Sequence, residues 1–135
     1  MSAITKKINP VALLIPTKAY SQAIQVQIGN ARLLFVTGQL PQDNEGKVVA
    51  PGDMQKQAEV VFSRIETILS EAGMSFDDVV KMQIFVKDIR QSKIVSNLRD
   101  IHMKDSCPAS TLVEVSGFVK DDCLLEIEVT AVSST

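Results

Sequence analysis

The apolar period of this chain switches from two residues to between three and four and back again, twice over. Few folds absorb that pattern. Gln22–Ile28 (QAIQVQI) alternates, with Ile24, Val26 and Ile28 on one side. Gly29-Asn30 is a two-residue hairpin turn, and Leu33–Thr37 (LLFVT) is a return strand apolar enough to be covered on both faces. Gly38–Gly52 is rich in turn residues and reads as loop. Asp53 then caps a helix whose apolar stripe is Met54, Ala58, Val61, Ile65, Ile68, Leu69 and Ala72, stopped by Gly73. Ser75 and Asp78 suit one short capped turn. Val80, Met82, Ile84 and Val86 restore the period of two. Asp88 introduces a second helix over 91–105, with Ile94, Val95, Leu98 and Ile101 inward, and strands follow at Thr111–Val115 and Leu124–Val132.

The expected order is β-β-α-β-α-β-β, preceded by an irregular lead over residues 1–18. This is an α+β fold with two helices on one face of a mixed sheet. The 135 residues form a single domain. No third layer is left for the other sheet face, and LLFVT gives that face apolar residues, so a second copy of the chain is expected to cover it.

Several function classes are disfavoured at once. The formal net charge is −2, and the only adjacent basic pair is Lys6-Lys7, which is not the electrostatic footprint of a nucleic-acid binder. Two cysteines are too few for a disulfide scaffold. The apolar run Val11–Ile15 is too short for an export signal, and no stretch nears the length of a membrane span. A cytoplasmic protein with reduced thiols is the expectation.

Single residues point to chemistry only weakly. His102 has no second histidine to share a metal with and reads as a surface or packing residue. Cys107 reads as a small loop residue, for no base accompanies it. Glu126 and Glu128 share one face of a strand, and Glu114 raises the same choice between solvated acid and proton acceptor.

The composite is more specific. AYSQAIQV, FVTGQLP at 35–41, ILSEAGMSFDDVVKMQIFVKDI at 68–89, PAS-x-x-VEV at 108–115 and LEIEVTAV at 125–132 resemble the RidA family, also called YjgF, in family order from about Ala19 to Val132. The resemblance implies a chorismate-mutase-like fold, a homotrimer built round a barrel, and small-metabolite clefts between subunits. It implies hydrolysis of reactive enamine and imine intermediates to 2-oxo acids and ammonia, with no metal and no cofactor. Carried over residue by residue, it makes Glu126 the water-positioning acid, allowing one extra residue in the preceding loop. Tyr20, Thr37, Gly38, Ala109, Ser110 and Thr111 become the substrate-binding positions.

One position departs. The active deaminases carry arginine where this chain has Ser110, and their frequent cysteine two residues on is Leu112. A serine hydroxyl is a single neutral donor, whereas a guanidinium grips a carboxylate at two points. Loss of such a contact costs about 1.5–3 kcal/mol, or roughly a ten- to hundredfold change. The reading that follows is a family member that binds small molecules without standard 2-imino-acid deamination. Its alternatives are a deaminase of altered substrate choice and, further off, an endoribonuclease or translation inhibitor. Lys18 and Arg32 are the cations considered as substitutes for the missing charge.

Overall fold

The computed structural model describes residues 3–134. Its strands are β1 (Ile4–Ile8), β2 (Ala23–Ile28), β3 (Ala31–Gln39), β4 (Val79–Val86), β5 (Ala109–Glu114) and β6 (Leu125–Ser134), and its helices are α1 (Met54–Glu71) and α2 (Ser92–His102). The sheet runs in the order β1-β2-β3-β6-β4-β5, with β4 and β5 parallel and every other pairing antiparallel. A mixed sheet with its two helices on one face is the architecture expected.

Helix α1 forms for the reasons legible in its ends. The Asp53 carboxylate accepts from the Lys56 amide at 3.0 Å. At the other end Gly73 turns left-handed at φ +70°, and Met74 and Gly73 donate back to the Leu69 and Ser70 carbonyls, a Schellman stop. The expected stripe is buried in full, against Leu34 and Val36 of β3, Met82, Ile84 and Val86 of β4, and Leu125, Ile127, Val129 and Ala131 of β6. Ser75 and Asp78 form the expected capping box around one 3₁₀ turn.

Four expectations need correction. Residues 4–8 of the lead are not irregular but pair with β2. ITKKI hides this because an edge strand has one neighbour and its exposed lysines mask any alternation; lysine also guards such edges against further pairing. Gly38 lies inside β3 rather than opening a loop. Residues 109–110 belong to β5, held by parallel pairing to Lys81 and Met82, whereas the expected strand began at Thr111. Helix α2 is shorter than 91–105, and Ile101 is 67% exposed instead of packed; Val95 and, beyond the helix, Met103 are the buried anchors.

The sheet face away from the helices is only half covered. Phe35 is 47% exposed, and Val132 and Ile28 are exposed further along the same face, so LLFVT is covered on one face within the single chain.

Candidate active site

Strand β3 is irregular where it meets β6. Val36 pairs with Val129, but the next register pair is Gln39 with Ile127, so Thr37 and Gly38 take up one residue more than β6 supplies. This bulge re-aims the backbone and frees Thr37 from the ladder. Its amide donates to the Gln22 carbonyl at 2.9 Å and its hydroxyl to the Ser21 carbonyl at 2.6 Å. The segment that carries Tyr20, itself exposed, is thereby tied to the bulge.

A buried polar network locks the same segment from beneath. The Gln39 side-chain amide donates to Gln22 Oε1 and to the Thr37 carbonyl, and Gln39 Oε1 accepts from Arg64 Nε. Gln22 in turn donates to the Leu14 carbonyl, and its own amide is held by Asn9. Nothing in the strand and helix periods marks these residues, because Gln39 and Arg64 are buried polar groups at positions an apolar pattern cannot flag.

Glu126 leans over the bulge. Its Cδ lies 2.8 Å, and its Oε2 3.1 Å, from the point a Cβ on residue 38 would occupy. Only glycine leaves this room. Burial, with the neighbouring Glu128 carboxylate adding to it, pushes the Glu126 pKa above the ordinary carboxylate value. A half-buried carboxylate with raised proton affinity is suited to exchange protons with water or a ligand.

Ser110 stands elsewhere. It pairs with Met82, which pairs with Val129, so its side chain takes the helix-side face; Glu126 pairs with Phe85 and takes the other. Ala109 and Thr111 share the face of Glu126 but lie two strands away, about 10 Å across the sheet. One chain therefore brings together Thr37, Gly38 and Glu126, ties the segment that carries Tyr20 to Thr37 through Ser21, and does not bring Ser110 to them.

What does meet Ser110 is Arg99, in the last turn of α2. Its Nη1 donates to Ser110 Oγ at 3.3 Å, and its Nε and Nη2 donate to Asp100 at 3.0 Å. Sequence reasoning missed Arg99. Eleven residues separate it from Ser110, and the two meet because α2 lies in the connection between the parallel strands β4 and β5. Arg32 is spoken for: it donates to the Ala72 carbonyl at 2.7 Å and to Ser133 Oγ at 3.0 Å, closing the C-terminus of α1. Lys18 is exposed in the lead.

The remaining candidates are structural. Glu114 accepts from the Ile89 amide at 2.9 Å. The His102 ring stacks on Phe62 and Phe76, with centroids 5.2 and 5.0 Å away. Cys107 and Cys123 are free thiols. Among the described residues no cluster of His, Cys, Asp and Glu could hold a metal ion, and no helix is long and apolar enough to cross a membrane.

Comparison with known proteins assigns the frame. A profile of the family described as Endoribonuclease L-PSP matches residues 12–133. A RutC family protein of Pyrococcus abyssi is 40% identical over 116 residues, covering 86% of this chain and 87% of the relative. The chain belongs to the RidA family. Within that family, the 2-iminobutanoate/2-iminopropanoate deaminase of Bos taurus is 30% identical over 133 residues, covering 98% of this chain and 93% of the relative. The crystal structure of a protein described as a putative endoribonuclease from Thermotoga maritima superposes with a TM-score of 0.84 at 30% identity, covering 96% of this chain and 98% of that one. The RidA fold expected from the sequence is thus the fold found.

Proposed function

We propose that this RidA-family chain hydrolyses small enamine and imine intermediates, with Glu126 as the acid that handles water. The observation that carries this reading is the close approach of Glu126 to Gly38 at a β-bulge, which holds a half-buried carboxylate of raised proton affinity beside the Thr37–Gly38 backbone. In its ionised form Glu126 takes a proton from water as the oxygen adds to the imine carbon. It then returns that proton to the nitrogen. The hydroxyl proton of the resulting carbinolamine then passes through Glu126 to the same nitrogen, the C–N bond breaks as the C=O bond forms, and the products are a 2-oxo acid and ammonia. Thr37, its hydroxyl proton committed to Ser21, offers a lone pair to an N–H of the ligand. The bovine relative's name supports the same chemistry.

Assembly belongs to this reading. Ser110 and Glu126 lie on opposite faces of one sheet. A small ligand that touches both needs a second copy to supply one of them. The half-exposed face around Phe35 and Val132 is the surface that would be covered. We infer a homotrimer with the metabolite bound between subunits. Two free cysteines, one of them exposed, suit a reducing compartment such as the cytoplasm.

A second reading, ligand binding without turnover, is favoured by the neutral hydroxyl at Ser110. Endoribonuclease activity, the name carried by the family profile, has little support in a chain of net charge −2. The deciding experiment is release of ammonia and 2-oxo acid from freshly generated 2-iminobutanoate and 2-iminopropanoate. A rate above the buffer blank that disappears in Glu126→Gln supports hydrolysis. A rate equal to the blank for both compounds rejects it and leaves binding alone.

A further inference from the structure

We propose that Arg99 is the anion-binding residue of this chain: its guanidinium, delivered from α2, does at Ser110 what an arginine on β5 itself would do. The inference rests on the functional reading above and adds to it the group that selects a carboxylate.

The geometry assigns the role in three steps. Ser110 is small, and the Arg99 guanidinium lies against it, with Nη1 at 3.3 Å from Oγ. That bond is long for a charged donor, so an anionic oxygen would replace it readily. The opposite edge of the guanidinium rests on Asp100, its neighbour in sequence. The Arg99 side chain is 27% exposed and that of Asp100 66%, so the pair is an exposed one that holds the fork in place while contributing little to stability. A guanidinium held on one edge by Asp100, with Nη1 engaged only by the long bond to Ser110, is arranged for two-point contact with a carboxylate.

Third, the group lines a cavity. A hollow of about 410 Å³ opens between the end of α2 and the start of β5, walled by Arg99, Lys104, Cys107 and Ser110 over the buried Met103. Small-ligand sites run from roughly 300 to 1,000 Å³. The charges on its wall are two cations, Arg99 and Lys104, against one acid, Asp100, so the hollow favours a small monoanion. Cys107 adopts φ +43°, which sharpens the turn that brings Ser110 under the helix end. The ligand class is a short-chain 2-imino or 2-oxo monocarboxylate, its carboxylate on Arg99 and its reacting carbon facing the Glu126 of a second copy.

The test separates binding from turnover. Binding of 2-oxobutanoate and of its neutral amide is measured by calorimetry, and hydrolysis of 2-iminobutanoate by ammonia release, on the intact oligomer. Arg99→Gln is expected to weaken 2-oxobutanoate, and to lower kcat/KM for 2-iminobutanoate, by about ten- to a hundredfold, with the amide unaffected. Arg99→Lys, which keeps the charge and loses the fork, should fall between. Ser110→Arg added to Arg99→Gln should restore carboxylate binding. Equal carboxylate affinity in wild type and Arg99→Gln overturns the inference even if hydrolysis proceeds. Arg99-dependent binding without hydrolysis upholds it and overturns the hydrolase reading. A wild type that neither binds nor hydrolyses the carboxylates overturns both.

Discussion

The carboxyl carbon of Glu126 sits 2.8 Å from where the Cβ of residue 38 would be, so glycine at 38 and glutamate at 126 occupy one another's space by turns. Gly38→Ala therefore displaces the carboxylate rather than the backbone, since the atoms it meets first belong to the Glu126 side chain. We expect hydrolysis to fall at least about tenfold while stability drops by only about 1–3 kcal/mol, the usual cost of overpacking. Initial rates alongside a urea melt check this. Adding Gly38→Ala to Glu126→Gln should lower hydrolysis no further, because neighbours that act together are not additive, while the overpacking cost remains since glutamine keeps the same carbons.

Protonation of Glu126 sets a pH dependence. Its folded pKa is raised above the unfolded one, by burial first and by Glu128 second. Between those two values the native state binds more protons than the unfolded state, so stability declines as pH rises through that window and the penalty persists above it. Glu126→Gln should remove the decline and raise the neutral-pH melting temperature while abolishing turnover. The hydrolysis rate of the wild type should fall on the acid side with the raised pKa, not the ordinary one. A rate profile that breaks at the ordinary carboxylate value would show Glu126 is not the proton acceptor.

Arg32 offers a contrast to Arg99. It holds the Ala72 carbonyl at the end of α1 and Ser133 on β6. Arg32→Ala should destabilise by about 1.5–3 kcal/mol, the usual worth of a charged hydrogen bond, and leave KM unchanged. Chemical denaturation and steady-state kinetics on one preparation distinguish this from a ligand-binding role.

Gln57 is fully buried and joins three segments. It donates to the Val49 and Asp122 carbonyls and accepts from the Leu124 amide, all at 3.0 Å or less. Gln57→Leu keeps the volume and orphans those groups, at about 1–3 kcal/mol for each one left unsatisfied. Hydrogen exchange at Leu124 should accelerate in the variant; unchanged exchange there would contradict the contact.

The half-exposed face around Phe35 predicts its own test. Phe35→Glu should convert the oligomer to monomers in sedimentation and abolish hydrolysis together with assembly, because the charge would have to be buried unpaired between copies. A trimer that persists with this substitution would move the interface elsewhere.

Periodicity by itself determined the middle of this protein. The stripe of α1, the Asp53 cap, the Gly73 stop and the alternation of β6 are local signals, set by side-chain spacing over one or two turns, and they survive in the fold; in β4 the alternation holds from Met82 to Val86, while Val80, expected inward, is exposed at an irregularity that buries Val79 instead. The motif resemblance added the family and named Glu126 and Thr37, since those strings are contiguous. Tertiary structure alone decided the rest. Edge strand β1 has no pattern until β2 supplies its partner. The need for glycine at 38 arises because β6 lays Glu126 across the bulge. Arg99 reaches Ser110 only because a helix crosses back over a parallel strand. A sequence displays what neighbours in the chain do to one another; a guanidinium brought to a serine from another element is a relation in space, and no spacing rule records it.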